Sequence, residues 1–128
     1  MNKKSILLVG LFILLIASLV ACGSNSTNTD VYVNDSNSNI TIDLTKNDDG
    51  TYGVFFTEIS DVSFGGMGGK AEMYPIQLDS VECVNNIIRY EGFSSDNVLE
   101  IHLYDGYLTI EPEKALGHDN YVGRYTKK

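Results

Sequence analysis

The sequence predicts an all-β domain, a small antiparallel β-barrel or sandwich of about seven to eight short strands. Apolar residues alternate with polar ones in several runs, as at Ile40, Ile42 and Leu44, and this period of two is typical of half-buried strands. Turn-forming residues recur roughly every 8–12 positions, a spacing that favours a sandwich or a barrel. No stretch after residue 39 has the apolar period of an amphipathic helix.

The first hairpin is predicted from about residue 39 to residue 59. The alternation that begins at Ile40 resumes at Tyr52, Val54 and Phe56. Residues 47–50 separate the two runs, and their sequence Asn-Asp-Asp-Gly favours a turn because Asn, Asp and Gly tolerate turn conformations.

The middle of the chain predicts several further short strands. Residues 62–64 form one strand, Gly65–Gly69 a flexible loop and residues 70–78 another strand, in which Pro75 marks an edge or a bulge. Residues 81–84 and 87–93 then pair across Asn85 and Asn86, which tolerate the left-handed conformation.

The last part predicts one more hairpin, a helical turn and a closing strand. Residues 99–104 and 107–110 flank Asp105-Gly106, a type I′ turn signal. Residues 111–117 place Pro at the start of a turn and Gly just past its end. Residues 121–125 follow, where Gly123 indicates a close backbone approach or a bend. The predicted inward residues are Ile42, Leu44, Val54, Phe56, Ile101, Leu103 and Ile110.

The N-terminus is a different kind of segment. Lys3 and Lys4 precede an almost wholly apolar run from Ile6 to Val20. Its roughly 15 residues suit a secretory signal and fall short of the ~20 that span a bilayer. An uncleaved membrane helix ending near Ala21 is the alternative.

The residues Leu19-Val20-Ala21-Cys22 resemble the lipobox of bacterial lipoproteins. The resemblance implies that a diacylglycerol is attached to the Cys22 thiol and that the Ala21–Cys22 bond is then cut. Residues 1–21 are accordingly a cleaved signal helix, and the protein is held on the cell membrane, facing outside the cytoplasm. Polar residues 22–39 form the lipidated cysteine and a disordered tether, or a short edge strand at 30–33, before a β domain at 40–128.

Charge and cysteine content exclude some classes of function. The chain has 9 basic and 17 acidic side chains and a formal charge of −8. Loss of residues 1–21, which hold two lysines and no acid, leaves 7 basic and 17 acidic side chains and a charge of −10. Such a domain is repelled by nucleic acid and by anionic headgroups, so no nucleic-acid partner is expected. With Cys22 lipidated, Cys83 has no internal partner and is predicted to be buried and unreactive.

No motif predicts catalysis or a cofactor. The glycines before Lys70 do not form a phosphate-binding loop, because Phe64 and Ala71 occupy positions that need Gly and Ser or Thr. Residues 45–50 resemble part of an EF-hand, but Phe56 stands where a bidentate Glu is required.

The histidines do not predict a metal site either. His102 lies on a strand beside Glu100, and His118 precedes Asp119 in a loop. A zinc site needs three or four ligands, so none is expected and the protein is predicted not to be an enzyme.

We therefore expect a binding or interaction module of the bacterial cell envelope that has an envelope protein as its partner. The predicted contact residues are Phe64 and Met67 in one loop, and His118 and Asp119 in another. Exposed apolar side chains in a small domain require an explanation, and aromatic residues dominate contact energies. The alternative is that Phe64 packs back onto the core and that its loop is only mobile.

A second function remains open. Residues 121–125, Tyr-Val-Gly-Arg-Tyr, resemble the closing strand of calycin-like or lipocalin-like domains. Small lipid-anchored β-barrel inhibitors of lysozyme exist, and an acidic surface suits a basic target. The alternative function is therefore inhibition of an exogenous glycan hydrolase, although such inhibitors usually carry a disulfide that this chain cannot form internally.

Overall fold

The computed structural model describes residues 28–92 and 96–128, and it confirms an all-β, antiparallel architecture for them. The predicted signal peptide 1–21 and the predicted lipidation site Cys22 lie outside the described residues. Within the described part, no helix has the length and apolar character that crossing a membrane requires. The strands are β1 Asn28–Asn34, β2 Ile40–Lys46, β3 Tyr52–Phe64, β4 Met67–Met73, β5 Gln77–Val81, β6 Cys83–Val84, β7 Ile87–Glu91, β8 Val98–Leu103, β9 Tyr107–Ile110 and β10 Gly123–Lys127.

These ten strands belong to one sheet, more than the seven or eight that the sequence predicts. Its order is β4-β3-β2-β1-β10-β9-β8-β7-β6, with β5 paired to β3. The first strand therefore pairs with the last, and Tyr32 lies opposite Lys127. One residue, Glu82, separates β5 on β3 from β6 on β7. Among the described strands no ladder joins β5 to β7, so hydrogen bonding does not close the sheet into a ring.

The sheet curls around a single hydrophobic core. Val54 of β3 and Ile88 of β7 are both buried, yet a flat sheet would hold these strands about 29 Å apart, six spacings of ~4.8 Å. The described residues contain no α-helix that could cover such a face, so the sheet must cover itself. The core cluster comprises Tyr32, Ile40, Ile42, Leu44, Val54, Phe56, Ile76, Ile88, Leu99, Ile101, Leu108, Ile110, Ala115, Tyr121 and Tyr125. Six of the seven predicted inward residues are in it, and the seventh, Leu103, is half-buried against it.

The curled sheet has two ends that differ. At the open end, β1 begins at Asn28, β2 ends at Lys46 and β3 begins at Tyr52. Residues 111–122 cover the opposite, capped end with two short 3₁₀ helices, Pro112–Lys114 and Asp119–Tyr121. The helical turn predicted for 111–117 is thus present as a 3₁₀ turn, and the cap adds Ala115 and Tyr121 to the core.

Turn predictions are confirmed in part. Asn85 and Asn86 have φ values of 53° and 61°, as a left-handed two-residue turn requires. The type I′ turn predicted at Asp105-Gly106 is wrong, because that turn needs positive φ at both residues and only Gly106 has it, at 80°. Gly123 has φ 132°, which restricts this position at the start of β10 to glycine.

The disordered tether predicted for residues 22–39 is wrong over its described part. Residues 28–34 form β1, which lies between β2 and β10 instead of at an edge. Tyr32 and Asn34 are buried, and the Asn34 side-chain oxygen accepts hydrogen bonds from the backbone N–H groups of Ser36 and Asn37 at 2.9 Å. The β domain therefore includes Asn28–Asn39 and does not begin at residue 40.

The strand predicted for residues 70–78 is divided in two. β4 ends at Met73 and β5 begins at Gln77, with Pro75 between them. Proline has no N–H to donate to a ladder, whereas the carbonyl of Ile76 accepts a hydrogen bond from the Phe56 N–H at 2.9 Å. The break lets β4 and β5 pair with different parts of β3.

Candidate functional site

A two-stranded ribbon, residues 58–73, projects beyond the capped end of the sheet. β2 pairs with β3 only as far as Glu58, whereas β3 continues to Phe64 and pairs there with β4. Six residues at ~3.3 Å each place the ribbon tip about 20 Å beyond Glu58. In the described residues β4 pairs with β3 alone, so its outer edge is open.

The tip is a tight turn, and the flexible loop predicted for Gly65–Gly69 is wrong. Gly65 and Gly66 have φ values of 56° and 83°, and positive φ at both positions is what a type I′ hairpin turn requires. Met67 already pairs with Phe64, and the next two glycines belong to β4. Glycines contribute no side chain to an alternating pattern, so the sequence concealed this strand.

One side of the ribbon is apolar. Directly paired residues of antiparallel strands share a face, and the pairs Phe64–Met67 and Val62–Gly69 lie on the same face. This face continues the inward alternation of Val54 and Phe56 in β3. It is therefore the core face of the sheet, extended past the cap. Ser60 and Glu58 lie on this face nearer the base, opposite Ala71 and Met73. We call its five apolar side chains the apolar face: Val62, Phe64, Met67, Ala71 and Met73.

The apolar face is exposed where it leaves the domain. Phe64 is 81% exposed, Met67 is 77% exposed and Met73 is 45% exposed. The alternative that Phe64 packs back onto the core is therefore wrong. The opposite face of the ribbon carries the pairs Asp61–Lys70 and Ile59–Glu72, so the ribbon has one apolar and one largely polar side.

The second predicted contact stretch belongs to the cap. His118 is half-buried, with its ring 6.1 Å from the Tyr90 ring and 6.2 Å from the Tyr121 ring. Burial lowers the pKa of His118, against an opposing effect of Asp119, and its Nε2 has no hydrogen-bond partner among the described residues. Asp119 is exposed at the start of the second 3₁₀ helix.

The structure does not bring the four predicted contact residues together. The Tyr121 hydroxyl donates a hydrogen bond to Glu58 Oε2 at 3.0 Å, which ties the cap to the base of the ribbon. Phe64 and Met67 lie at the tip, about 20 Å farther out along the strands. His118 and Asp119 thus stay at the base, and the tip is the more exposed of the two places.

The remaining titratable groups of the described residues form no candidate metal cluster. Cys83 is half-buried, so its predicted full burial is wrong; burial raises its pKa. His102 Nε2 lies 3.3 Å from Glu100 Oε2, whose other oxygen accepts a hydrogen bond from Arg89 Nη1 at 3.0 Å. No group of three or more His, Cys, Asp or Glu side chains within residues 28–92 and 96–128 could hold a metal ion.

A pocket at the open end was not predicted from the sequence. Its volume is about 370 Å³, and its wall includes Tyr32, Leu44 and Leu103 from the inner face. The sequence contains a pattern that could have predicted this pocket, since β1 and β2 carry polar residues at inward positions near this end. The pattern is visible only if residues 28–34 are recognised as a strand. The complete lining is Asn28, Asp30, Tyr32, Leu44, Lys46, Tyr52, Asn86, Leu103, Tyr104 and Asp105.

The arrangement is suited to contact with other molecules: an exposed apolar ribbon at one end and a shallow polar pocket at the other. Comparisons of the chain with protein-family models, with curated proteins and with solved structures find no match.

Proposed function

We propose that this protein is a lipid-anchored, non-enzymatic binding module of the bacterial cell envelope, which binds an envelope protein through the apolar face of its ribbon. The observation that carries the proposal is the exposure of Phe64 and Met67 on one side of a paired two-stranded hairpin. A small domain leaves such a surface in water at a cost unless something covers it.

The direction of the strands supports an outward position for the ribbon. Asn28 lies at the open end, and β3 runs from Tyr52 at that end to Phe64 beyond the other. If Cys22 carries the lipid, its Cα is at most about 20 Å from that of Asn28, six steps of ~3.4 Å. The open end then lies near the membrane, and the ribbon extends away from it toward a partner.

We also propose that the curled sheet is a small barrel. The pairing of β1 with β10 supports this, as does the segment 77–84, which reaches β3 through β5 and β7 through β6. If β5 and β6 count as one strand and β4 belongs to the ribbon, eight strands follow one another around the core, as in calycin-like barrels. Such a body would hold the base of the ribbon rigidly.

The energy available at the tip indicates a moderate affinity. Full burial of a Phe or Met side chain contributes about 1.5–3 kcal/mol. Because about four-fifths of each tip side chain is exposed, burying both adds roughly 2–5 kcal/mol. Additional affinity can come from the open edge of β4, where a partner strand could form backbone hydrogen bonds.

Inhibition of an exogenous glycan hydrolase is the second candidate. The charge of −8 favours it, because an acidic surface attracts a basic target and accelerates association. A lysozyme assay with the full-length protein tests this function: inhibition that disappears at high salt would support it, and no inhibition at a large molar excess would exclude it.

The proposed binding is tested by crosslinking in intact cells. We compare the wild type with the double variant Phe64→Ser/Met67→Ser and with the control Val84→Ser/Leu116→Ser, which removes two exposed apolar residues elsewhere. We expect a crosslinked species that the tip variant loses and the control retains. An equal amount of that species in all three proteins, at equal abundance, would contradict the proposal.

A further inference from the structure

The inner face of the sheet changes from apolar to polar at the open end. In β1 the inward positions run from Tyr32 through Asp30 to Asn28, and in β2 from Ile42 through Leu44 to Lys46. The pairs Asp30–Leu44 and Asn28–Lys46 place these residues in successive layers toward the rim. Asn28 and Lys46 are exposed at this rim and Asp30 is half-buried, so a ring of polar groups surrounds an end that apolar side chains do not seal.

The pocket inside this ring is wide and shallow. Tyr32 and Leu44 are buried and form its floor, whereas Tyr52 and Leu103 are half-buried at its wall. The core fills the space below them, where Ile42 is fully buried. The volume of about 370 Å³ lies at the lower end of the roughly 300–1,000 Å³ typical of small-molecule sites. A long acyl chain has no room in a pocket one layer deep.

The charges around the pocket balance. Lys127 Nζ forms an ion pair with Asp30 Oδ1 at 2.9 Å. Lys46 and Asp105 also line the pocket, and neither belongs to an ion pair recorded between described residues. Two cations and two carboxylates give a sum of zero in a chain of charge −8. This balance favours neither an anion nor a simple cation.

The lining also offers hydrogen-bonding groups of both kinds beside aromatic surface. Lys46 supplies only donors and Asp105 only acceptors, while the amide of Asn86 supplies both. Tyr52 and Tyr104 add rings with polar hydroxyls, side chains that combine an apolar body with a hydrogen-bonding tip. A neutral ring compound with several hydroxyl groups satisfies all of these features together.

We propose that the open end is a binding site for a short neutral saccharide of one or two rings. Hydroxyl groups of the sugar would bond to Lys46, Asp105 and Asn86, and the carbon face of a ring would lie against Tyr52. The site is at the opposite end of the sheet from the ribbon, so it does not depend on the protein-binding function proposed above.

The test is NMR titration of the full-length protein in a polyoxyethylene detergent, which contains no sugar. The probes are N-acetylglucosamine and its β-1,4 disaccharide, with choline, inorganic phosphate and octanoate as competing chemistries. We expect the sugars, at millimolar concentrations, to shift the backbone amide signals of Asp30, Lys46, Tyr52 and Asp105 and to leave those of the ribbon unchanged.

Variants make the test specific. Lys46→Ala, at an exposed position, and Tyr52→Ala should each weaken binding about tenfold, whereas the exposed control Tyr74→Ala on the outer side should not. The inference is overturned if neither sugar shifts these signals at tens of millimolar, if the shifts lie elsewhere, or if choline, phosphate or octanoate binds there instead.

Discussion

Replacing Tyr125 with phenylalanine should destabilise the domain by an amount that depends on pH. Tyr125 is fully buried in β10, and its hydroxyl donates a hydrogen bond to the backbone carbonyl of Tyr121 at 2.8 Å. The substitution removes one oxygen and leaves the ring, so the core keeps its shape. A buried acceptor that loses its donor costs about 1–3 kcal/mol. At pH 7 we therefore expect Tyr125→Phe to lower the free energy of unfolding by that amount.

The pH dependence follows from the same hydroxyl. Burial, more than any other cause, raises the pKa of Tyr125 from 10.0 to about 12, because the phenolate would be desolvated in the core. In the unfolded chain the Tyr125 hydroxyl ionises near pH 10. Its contribution to the free energy of unfolding is therefore fully present below pH 10 and is lost as the pH rises toward 12. The loss is about 1 kcal/mol at pH 11, and it approaches about 3 kcal/mol above pH 12.

Phenylalanine cannot ionise, so the unfolding free energy of the variant does not undergo this decrease at high pH. The difference in unfolding free energy between the wild type and Tyr125→Phe should shrink by about 1 kcal/mol between pH 7 and pH 11. Urea denaturation of both full-length proteins in a nonionic detergent, followed by circular dichroism at several pH values, measures the difference. A difference that stays constant up to pH 11 would refute the burial and the hydrogen bond assigned to Tyr125.

Three further predictions concern the ribbon and the two cysteines. Phe64→Ser/Met67→Ser should change the unfolding free energy by less than about 1 kcal/mol because both side chains are exposed. Phe56→Ala in the core should lower it by about 3–5 kcal/mol, and urea titration of both variants measures the two changes. Cys83, half-buried with a raised pKa, should react with a thiol probe in native protein at pH 7 at least tenfold more slowly than in urea, and equal rates would count against this. Cys22→Ser should abolish incorporation of labelled fatty acid, and persistent label would contradict the lipobox assignment.

Local alternation was sufficient to predict much of the sheet. Ile42, Leu44, Val54 and Phe56 were predicted to face inward and do so, because the side-chain period of a strand is two and one face must be buried. The Asn85–Asn86 turn was also predictable, since few residues other than Asn, Asp and Gly adopt positive φ at low cost.

The strands that local sequence did not predict are held by long-range pairing. Residues 28–34 have a weak apolar pattern, and their strand is stabilised by β2 and β10, partners 16 and 93 residues away at the pairs Thr29–Thr45 and Val33–Thr126. Conversely, Gly68 and Gly69 suggested a loop, although backbone pairing to β3 is enough to hold them in a strand.

The candidate site was only partly predictable for the same reason. Composition identified Phe64 and Met67 as an unusual pair, but their common face depends on the register of β3 against β4. The open-end pocket depends on side chains from β1, β2, β3 and β8, which lie together only after the sheet has curled.

Site-specific photocrosslinking along the ribbon in intact cells tests the central claim most directly. A photoreactive amino acid is placed at one position at a time, with equal protein abundance checked for each variant. We expect one partner to be crosslinked from alternate positions on the apolar face and not from the intervening positions, so that yield rises and falls with a period of two along each strand. Equal yield from both faces, or no crosslink from the apolar face, would contradict the account. The apolar-face positions are Val62, Phe64, Met67 and Ala71, and the opposite positions are Asp61, Ser63, Lys70 and Glu72.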